Sequence, residues 1–294
     1  MKYSSLHIRH KIQDYRQLVK FRLSFTVTFS AVISYLLAPK VVEFDWGMIS
    51  WLFLGGFLVT GSANALNEVL EKDTDAKMNR TASRPVAAGR MSVTEARIAI
   101  GVMLVAGLVI LGLFFNPLSA VLSLVSWFIY AFLYTPLKKI SAVSVIVGAV
   151  PGALPCLIGW VAGNDELSTG GWVLFLIQFF WQFPHFWAIA WIAYRDYEQA
   201  GFKLLPSVEG PTKYSAIQSV VYSLVLVPVG MLPYWTGMSG RWSFWLVLVA
   251  NLVMVMQSVR LYLKMERQAA RRVMFSSYFY LPVVLLALLA DKIR

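Results

Sequence analysis

The sequence holds a single cysteine, Cys156. One thiol excludes an intramolecular disulfide framework and offers no thiolate metal cluster. It is expected to pack as a small apolar residue. Charge is scarce as well: 14% of the 294 residues are charged and 58% are hydrophobic, which excludes an ordinary soluble domain. Acids are fewer than bases, 15 against 26, for a net charge of +11. Such a balance could suit nucleic acid, but the bases fall in short segments between apolar runs, where the positive-inside rule accounts for them. No nucleic-acid partner is expected. The alternation of a transmembrane β-barrel is also missing. What remains is a series of long uncharged runs, the mark of an all-α polytopic membrane protein whose partner is the lipid bilayer. Lipid leaves no partner for an unpaired backbone group, so helices are the viable form.

Apolar runs at 23–38, 48–66, 98–115, 118–134, 143–163, 172–194, 216–235, 242–262 and 273–290 predict about nine transmembrane helices. The first could pass for a signal peptide, but no small-residue cleavage site ends it, so it is read as an uncleaved span. The fifth carries Gly148, Pro151, Gly152, Pro155 and Gly159, which predicts a kinked helix packed closely on a neighbour. Residues 1–22 form a basic N-terminal segment, 23–290 a single transmembrane domain and 291–294 a short tail. With the N-terminus inside, only Lys40, Arg241, Lys292 and Arg294 of the 26 basic residues fall outside. The asymmetry predicts that the N-terminus and the loops after the even-numbered spans face the cytoplasm, in a bacterial inner membrane.

Every candidate functional residue sits on that side or in the spans leading to it. The stretch NALNEVLEKDTDAKMNRTASRP, residues 64–85, closes the second span. Asn64, Asn67, Glu71 and Asp75 are spaced to share one helix face. Carboxylates this close repel one another unless a cation sits among them. Their oxygens suit Mg²⁺, which usually completes its shell with substrate phosphates. A solvated charged loop is the plainer reading of the same charges, but it does not explain the facial spacing.

A second polar stripe runs down the sixth span through Gln178, Gln182 and His185 to Asp196. Polar groups at this depth face a cavity or a partner. The glutamines could be glue between helices, and His185 could be a satisfied core histidine or could meet a substrate or metal. Pro184 is expected to bend the helix there. Asp75 and Asp196 each precede a proline by ten residues, with Arg80, Arg84 and Lys203 in the intervals. This weak echo suggests two acid-bearing helix ends at one central cavity. Lys138 and Lys139, after the fourth span, either anchor that span or hold an anion. Carboxylates, Mg²⁺ and fixed cations together make a site for a diphosphate leaving group.

With these residues assembled, the chain resembles the UbiA-type intramembrane prenyltransferases, in particular their haem-farnesylating branch. The resemblance rests on four blocks in order: NEVLEKDTDAKMNRTASRPV, YTPLKKISAVSVIVGAVPGALPCLIGW, PHFWAIAW and YRDYEQAGFKLLP. The family motif of an Asn followed by acids four and eight residues on is met by Asn67, Glu71 and Asp75. Glu stands at 71 where Asp is commoner, so it binds the metal directly or through a water. Asp73 and the PHFW block look typical of the haem branch. The resemblance implies a fold of about nine helices around a central cavity. It also implies transfer of farnesyl from farnesyl diphosphate to a vinyl group of haem B, a substrate here rather than a cofactor. Asn67, Glu71, Asp75 and Asp196 would hold Mg²⁺, with Mn²⁺ as the alternative. Lys138, Arg80, Arg84 and Lys203 would bind the diphosphate, and Lys138 would belong to the catalytic set. His185, Gln182 and Asp73 would meet the haem. A downstream haem-modifying enzyme is a conceivable partner.

Other readings are a quinone-precursor or chlorin acceptor, a membrane transporter, or an oxidase assembly factor. Acids clustered at one membrane face, rather than at mid-depth, speak against transport.

Overall fold

The computed structural model describes residues 2–207 and 209–293; Met1 and Arg294, at the ends of the expected terminal segments, lie outside the described residues. Helices follow in the order α1 (Lys2–Leu18), α2 (Phe21–Leu37), α3 (Trp46–Leu70), α4 (Lys72–Asp75), α5 (Val93–Phe114) and α6 (Pro117–Phe128). A π-helical segment, Ile129–Tyr134, joins α6 to α7 (Thr135–Leu137). Then come α8 (Ser144–Asn164), α9 (Thr169–Ile192), α10 (Tyr194–Gln199), α11 (Lys213–Trp235), α12 (Arg241–Lys264) and α13 (Arg267–Ala290). Eight stretches of these are long and apolar enough to cross a membrane, with α6, the π segment and α7 acting as one. The ninth, α2, is a shorter apolar helix. Each expected span matches one of these nine.

Local sequence sets the boundaries. The Asp45 carboxylate accepts from the N–H groups of Gly47 and Met48 and starts α3. Ser92 caps α5, and Asn116 caps α6 with Pro117 in the first turn. These side chains satisfy donors that a helix N-terminus leaves unpaired. Trp46, Trp235 and Trp242 lie exposed near helix ends, where amphipathic rings favour the lipid–water boundary.

α8 and α9 form the centre. About 72% of the most apolar window of α8 is buried, against 17% for α5. The reason is small residues: a Cβ on Gly159 would overlap the Ala31 carbonyl of α2, so α2 and α8 touch backbone to backbone. α8 runs through Pro151 and Pro155. Pro155 has no N–H for the Pro151 carbonyl, and the Ser126 hydroxyl of α6 donates to that oxygen at 3.2 Å. α3 packs on α5, α11 on α12 and α12 on α13.

At one end of the bundle the last helix is tied to the first span. Lys292 donates to the carbonyls of Leu36, Ala38 and Val41, each at 2.8 Å. At the opposite end α1 is tied to the α5 region by Lys11–Glu95 and Asp14–Arg90 ion pairs at 2.9 Å. The candidate site lies at this second end.

Candidate active site

α3 does not carry the whole acidic motif as one helix. It ends at Leu70, Glu71 turns with φ −100° and ψ 10°, and α4 begins at Lys72. The four-residue backbone spacing nevertheless persists. Glu71 N–H donates to the Asn67 carbonyl at 3.0 Å and Asp75 N–H to the Glu71 carbonyl at 2.7 Å. Asn67, Glu71 and Asp75 therefore stay on one side, and all three line a polar cavity of about 240 Å³.

Each of the three is held by a different cation. Lys20 donates to Asn67 Oδ1 at 2.9 Å. Lys138 Nζ lies 2.5 Å from Glu71 Oε1, and Arg84 donates to Asp75 Oδ2 at 2.6 Å. Glu71 and Asp75 are buried. Lys20 comes from the junction of α1 and α2, where its backbone is left-handed with φ 46°. Burial, with Arg84 and Lys138 nearby, pushes its ammonium down to about 7. Burial also lowers Lys138, while Glu71 draws it back up. Asn67 Nδ2 donates to Thr135 Oγ1 at 3.2 Å, and that hydroxyl donates to the Tyr130 carbonyl at 2.8 Å. The acidic end of α3 is thus hydrogen-bonded to the π segment.

The loop after α4 roofs the cavity. Glu68, fully buried, accepts from the Val86 N–H at 3.1 Å and holds the loop to α3. Arg80 donates to the Tyr197 hydroxyl at 2.8 Å and lies over its ring. Lys203 N–H donates to the Lys138 carbonyl at 2.7 Å.

Of the expected diphosphate residues, Arg80, Arg84 and Lys138 line this cavity; the exposed side chain of Lys203 does not. Asp73 is exposed and lines neither cavity described here. Asp196, on α10, does not line this cavity, and Asn79 donates to it at 3.5 Å. The helix break at Ala193 takes it off the face that Gln178, Gln182 and His185 share. Sequence reasoning counted Lys20 only as a topology-setting base and did not single out Tyr130 or Tyr134. The one signal for the tyrosines was their position just before Lys138.

A second cavity, about 350 Å³, lies deeper and is largely apolar. Its volume falls in the range of small-molecule pockets, roughly 300–1,000 Å³. Leu23, Tyr130 and Tyr134 line both cavities and form the neck between them. Gly148 makes room for the Tyr134 ring, which a Cβ there would meet at 2.5 Å. Gln178, Gln182 and His185 line the deeper cavity. The glutamines also bridge α9 to α8: Gln178 donates to the Gly152 carbonyl at 2.8 Å and Gln182 to the Ala149 carbonyl at 3.1 Å. Cys156 is buried beside Gln178, its sulfur 2.6 Å from Oε1.

Among the described residues, no three His, Cys, Asp or Glu side chains converge to cage a metal alone. Yet Asp75 Oδ1 is sealed from solvent without a hydrogen bond, and the Lys138 ammonium is the partner of the equally sealed Glu71 Oε1. A buried carboxylate oxygen left unbonded calls for a cation. Hard oxygen donors, too few for a full shell, fit a Mg²⁺-type ion shared with substrate phosphates.

The sequence profile of the UbiA prenyltransferase family matches residues 27–281. The chain is 44% identical to the protoheme IX farnesyltransferase of Cytophaga hutchinsonii, with 96% of this chain and 99% of that one covered. It is 39% identical to the enzyme of the same name from Flavobacterium johnsoniae, covering 98% and 97%. In fold it is similar to a solved digeranylgeranylglyceryl phosphate synthase, with a TM-score of 0.79, 20% identity, and 96% and 98% coverage. It is also similar to a UbiA homologue from Archaeoglobus fulgidus bound to DMAPP and Mg²⁺, with a TM-score of 0.68, 16% identity, and 94% and 99% coverage.

Proposed function

Because this chain belongs to the UbiA prenyltransferase family, we propose that it is an integral membrane enzyme that farnesylates protohaem IX. The reaction joins the farnesyl group of farnesyl diphosphate to a vinyl group of haem B, adds water, and yields haem O and diphosphate. The observation that carries this reading is the pairing of a cation-rich polar cavity with a deeper apolar one through a tyrosine neck, in a chain so similar to protoheme IX farnesyltransferases.

The chemistry follows the neck. The diphosphate lies among Lys20, Lys138, Arg80 and Arg84, and the isoprenoid tail enters the apolar cavity. The C1–O bond breaks and its electron pair leaves with the diphosphate, whose growing charge these cations neutralise. Asn67, Glu71 and Asp75 would hold Mg²⁺ or Mn²⁺, which supplies Lewis acidity at the phosphate oxygens. Asp196 would join that set only if the roof drew inward over the diphosphate. The allylic cation forms beside the Tyr130 and Tyr134 rings, whose faces attract positive charge. The vinyl π electrons attack C1 to make the carbon–carbon bond. Water captures the cation left next to the macrocycle and loses a proton, completing the hydroxyl-bearing side chain. The apolar walls keep water from the allylic cation until that bond forms.

The site end of the bundle is assigned to the cytoplasm and the membrane to the bacterial inner membrane, as the Lys/Arg asymmetry supports. Residues 1–22 are then cytoplasmic, 23–290 form the catalytic domain and 291–294 end outside. The enzyme that consumes haem O would take it up from the same bilayer. Product analysis with haem B, a quinone-precursor ring and a chlorin, each offered with farnesyl diphosphate, tests the acceptor. Farnesylated haem alone is expected; prenylation of another ring in preference to haem would overturn the assignment.

A further inference from the structure

Three groups in the deeper cavity fix one another in an order that the bonds dictate. Ser277 of α13 donates its hydroxyl hydrogen to the Met274 carbonyl at 2.6 Å. Its oxygen lies 2.8 Å from His185 Nδ1 of α9. A hydroxyl has one hydrogen. With that hydrogen spent on Met274, Ser277 can only accept from His185, so the ring proton sits on Nδ1. Nε2 then carries the lone pair.

The ring is also held in direction. Trp181 stacks on it with centroids 4.8 Å apart and planes at 18°, and Tyr278 meets it edge-on at 5.3 Å. The Trp181 indole N–H donates to the Ser277 carbonyl at 2.9 Å, tying stack and acceptor together. His185 lines the deeper cavity. Among the described residues no group bonds Nε2, and that atom is not among the polar atoms sealed from the free space. A bare imidazole nitrogen, aimed into an aromatic-lined cavity and backed by a fixed Nδ1–H, is the arrangement that a metal-ligating histidine takes.

We propose that Ser277 is a positioning residue that locks His185 in the Nδ1–H tautomer and so presents Nε2 as the axial ligand of the porphyrin substrate's iron. This rests on the haem reading above and deepens it. Ligation would fix the macrocycle's distance and tilt, which is what a vinyl group must have to meet C1 of the farnesyl chain at the neck. Gln182, bonded to α8, and Tyr278 flank the macrocycle without binding the iron.

The chain has three histidines, so ¹⁵N-histidine labelling of the full-length protein in lipid nanodiscs gives few signals, and His185→Gln assigns the one of interest. The expected signature is a protonated Nδ1 and a bare Nε2. Ser277→Ala should mix the tautomers, and Ser277→Thr, which keeps the hydroxyl, should restore one. An Nε2–H ring in the wild type, or an unchanged tautomer in Ser277→Ala, overturns the lock. Ferrous protohaem titrated into the same samples should show a histidine-ligated spectrum in the wild type and Ser277→Thr. Binding should fall about tenfold to a hundredfold in Ser277→Ala, and the ligated spectrum should vanish in His185→Gln. A His185→Gln protein that binds haem with the wild-type spectrum and still makes haem O overturns the ligand while the haem reading stands. A wild type that neither binds nor farnesylates haem overturns both.

Discussion

At the scale of single residues, the polar cavity is a set of cations each bonded to one side chain of the motif: Lys20 to the Asn67 amide oxygen, Lys138 to Glu71, and Arg84 to Asp75. The Arg84 pair leaves work for a ligand, since Asp75 Oδ1 stays unbonded. Asp75→Asn keeps the size and removes the charge. It is expected to abolish product formation while the protein still inserts and purifies; retained turnover would remove Asp75 from the metal set. Lys138→Met leaves the Glu71 carboxylate buried without its cation. The cost is about 3 kcal/mol of stability, the low end for a broken buried pair because the cavity admits water. Adding Glu71→Gln should recover most of that stability but none of the activity, and thermal unfolding beside product yield separates the two effects.

The acids were legible because their spacing along one chain segment matches a helix. Lys20 was not, since nothing in a run of basic residues marks the one that the turn between α1 and α2 directs onto Asn67. Asp196 shared its helical phase with Gln178 and His185 only on paper, because the helix ends between them.

At the scale of elements, the spans were legible because lipid allows only helices and closed barrels, the alternation of a barrel is missing, and the apolar runs are long enough to need no tertiary support. Two local departures were not. One is the break of α3 at Glu71, which no proline or glycine announces. The other is the π segment at Ile129–Tyr134. Single π turns inside α-helices often mark functional sites, and this one carries both neck tyrosines and sets Tyr134 against Gly148. Gly148→Val should displace the Tyr134 ring and cut turnover, whereas Tyr134→Phe keeps the ring and should retain most of it. Equal losses in the two variants would show that the hydroxyl, not the ring, is what the neck requires. The glycines of α8 were legible as close-packing positions, and Gly159 against Ala31 is where that packing is tightest.

At the scale of the whole molecule, the bundle is closed by Lys292, whose ammonium caps three carbonyls at the end of α2. Both α2 and α13 line the deeper cavity, so the clamp holds its walls. Lys292→Met should cost about 1–3 kcal/mol of stability through carbonyls left without a donor, visible as a lower unfolding temperature. An unchanged temperature would mean that the apolar contacts of α13 close the ring without it. The two cavities meet end to end, charge toward one face of the bundle and apolar surface toward its middle. That arrangement separates diphosphate release from the water-sensitive carbocation.

The most direct measurement is the mass of the haem recovered from membranes carrying the protein after incubation with haem B, farnesyl diphosphate and Mg²⁺, with and without a chelator. The account predicts a haem heavier by one farnesyl group and one water, formed only when the metal is free to bind. Unmodified haem from folded protein, or the same product in the presence of chelator, would contradict it.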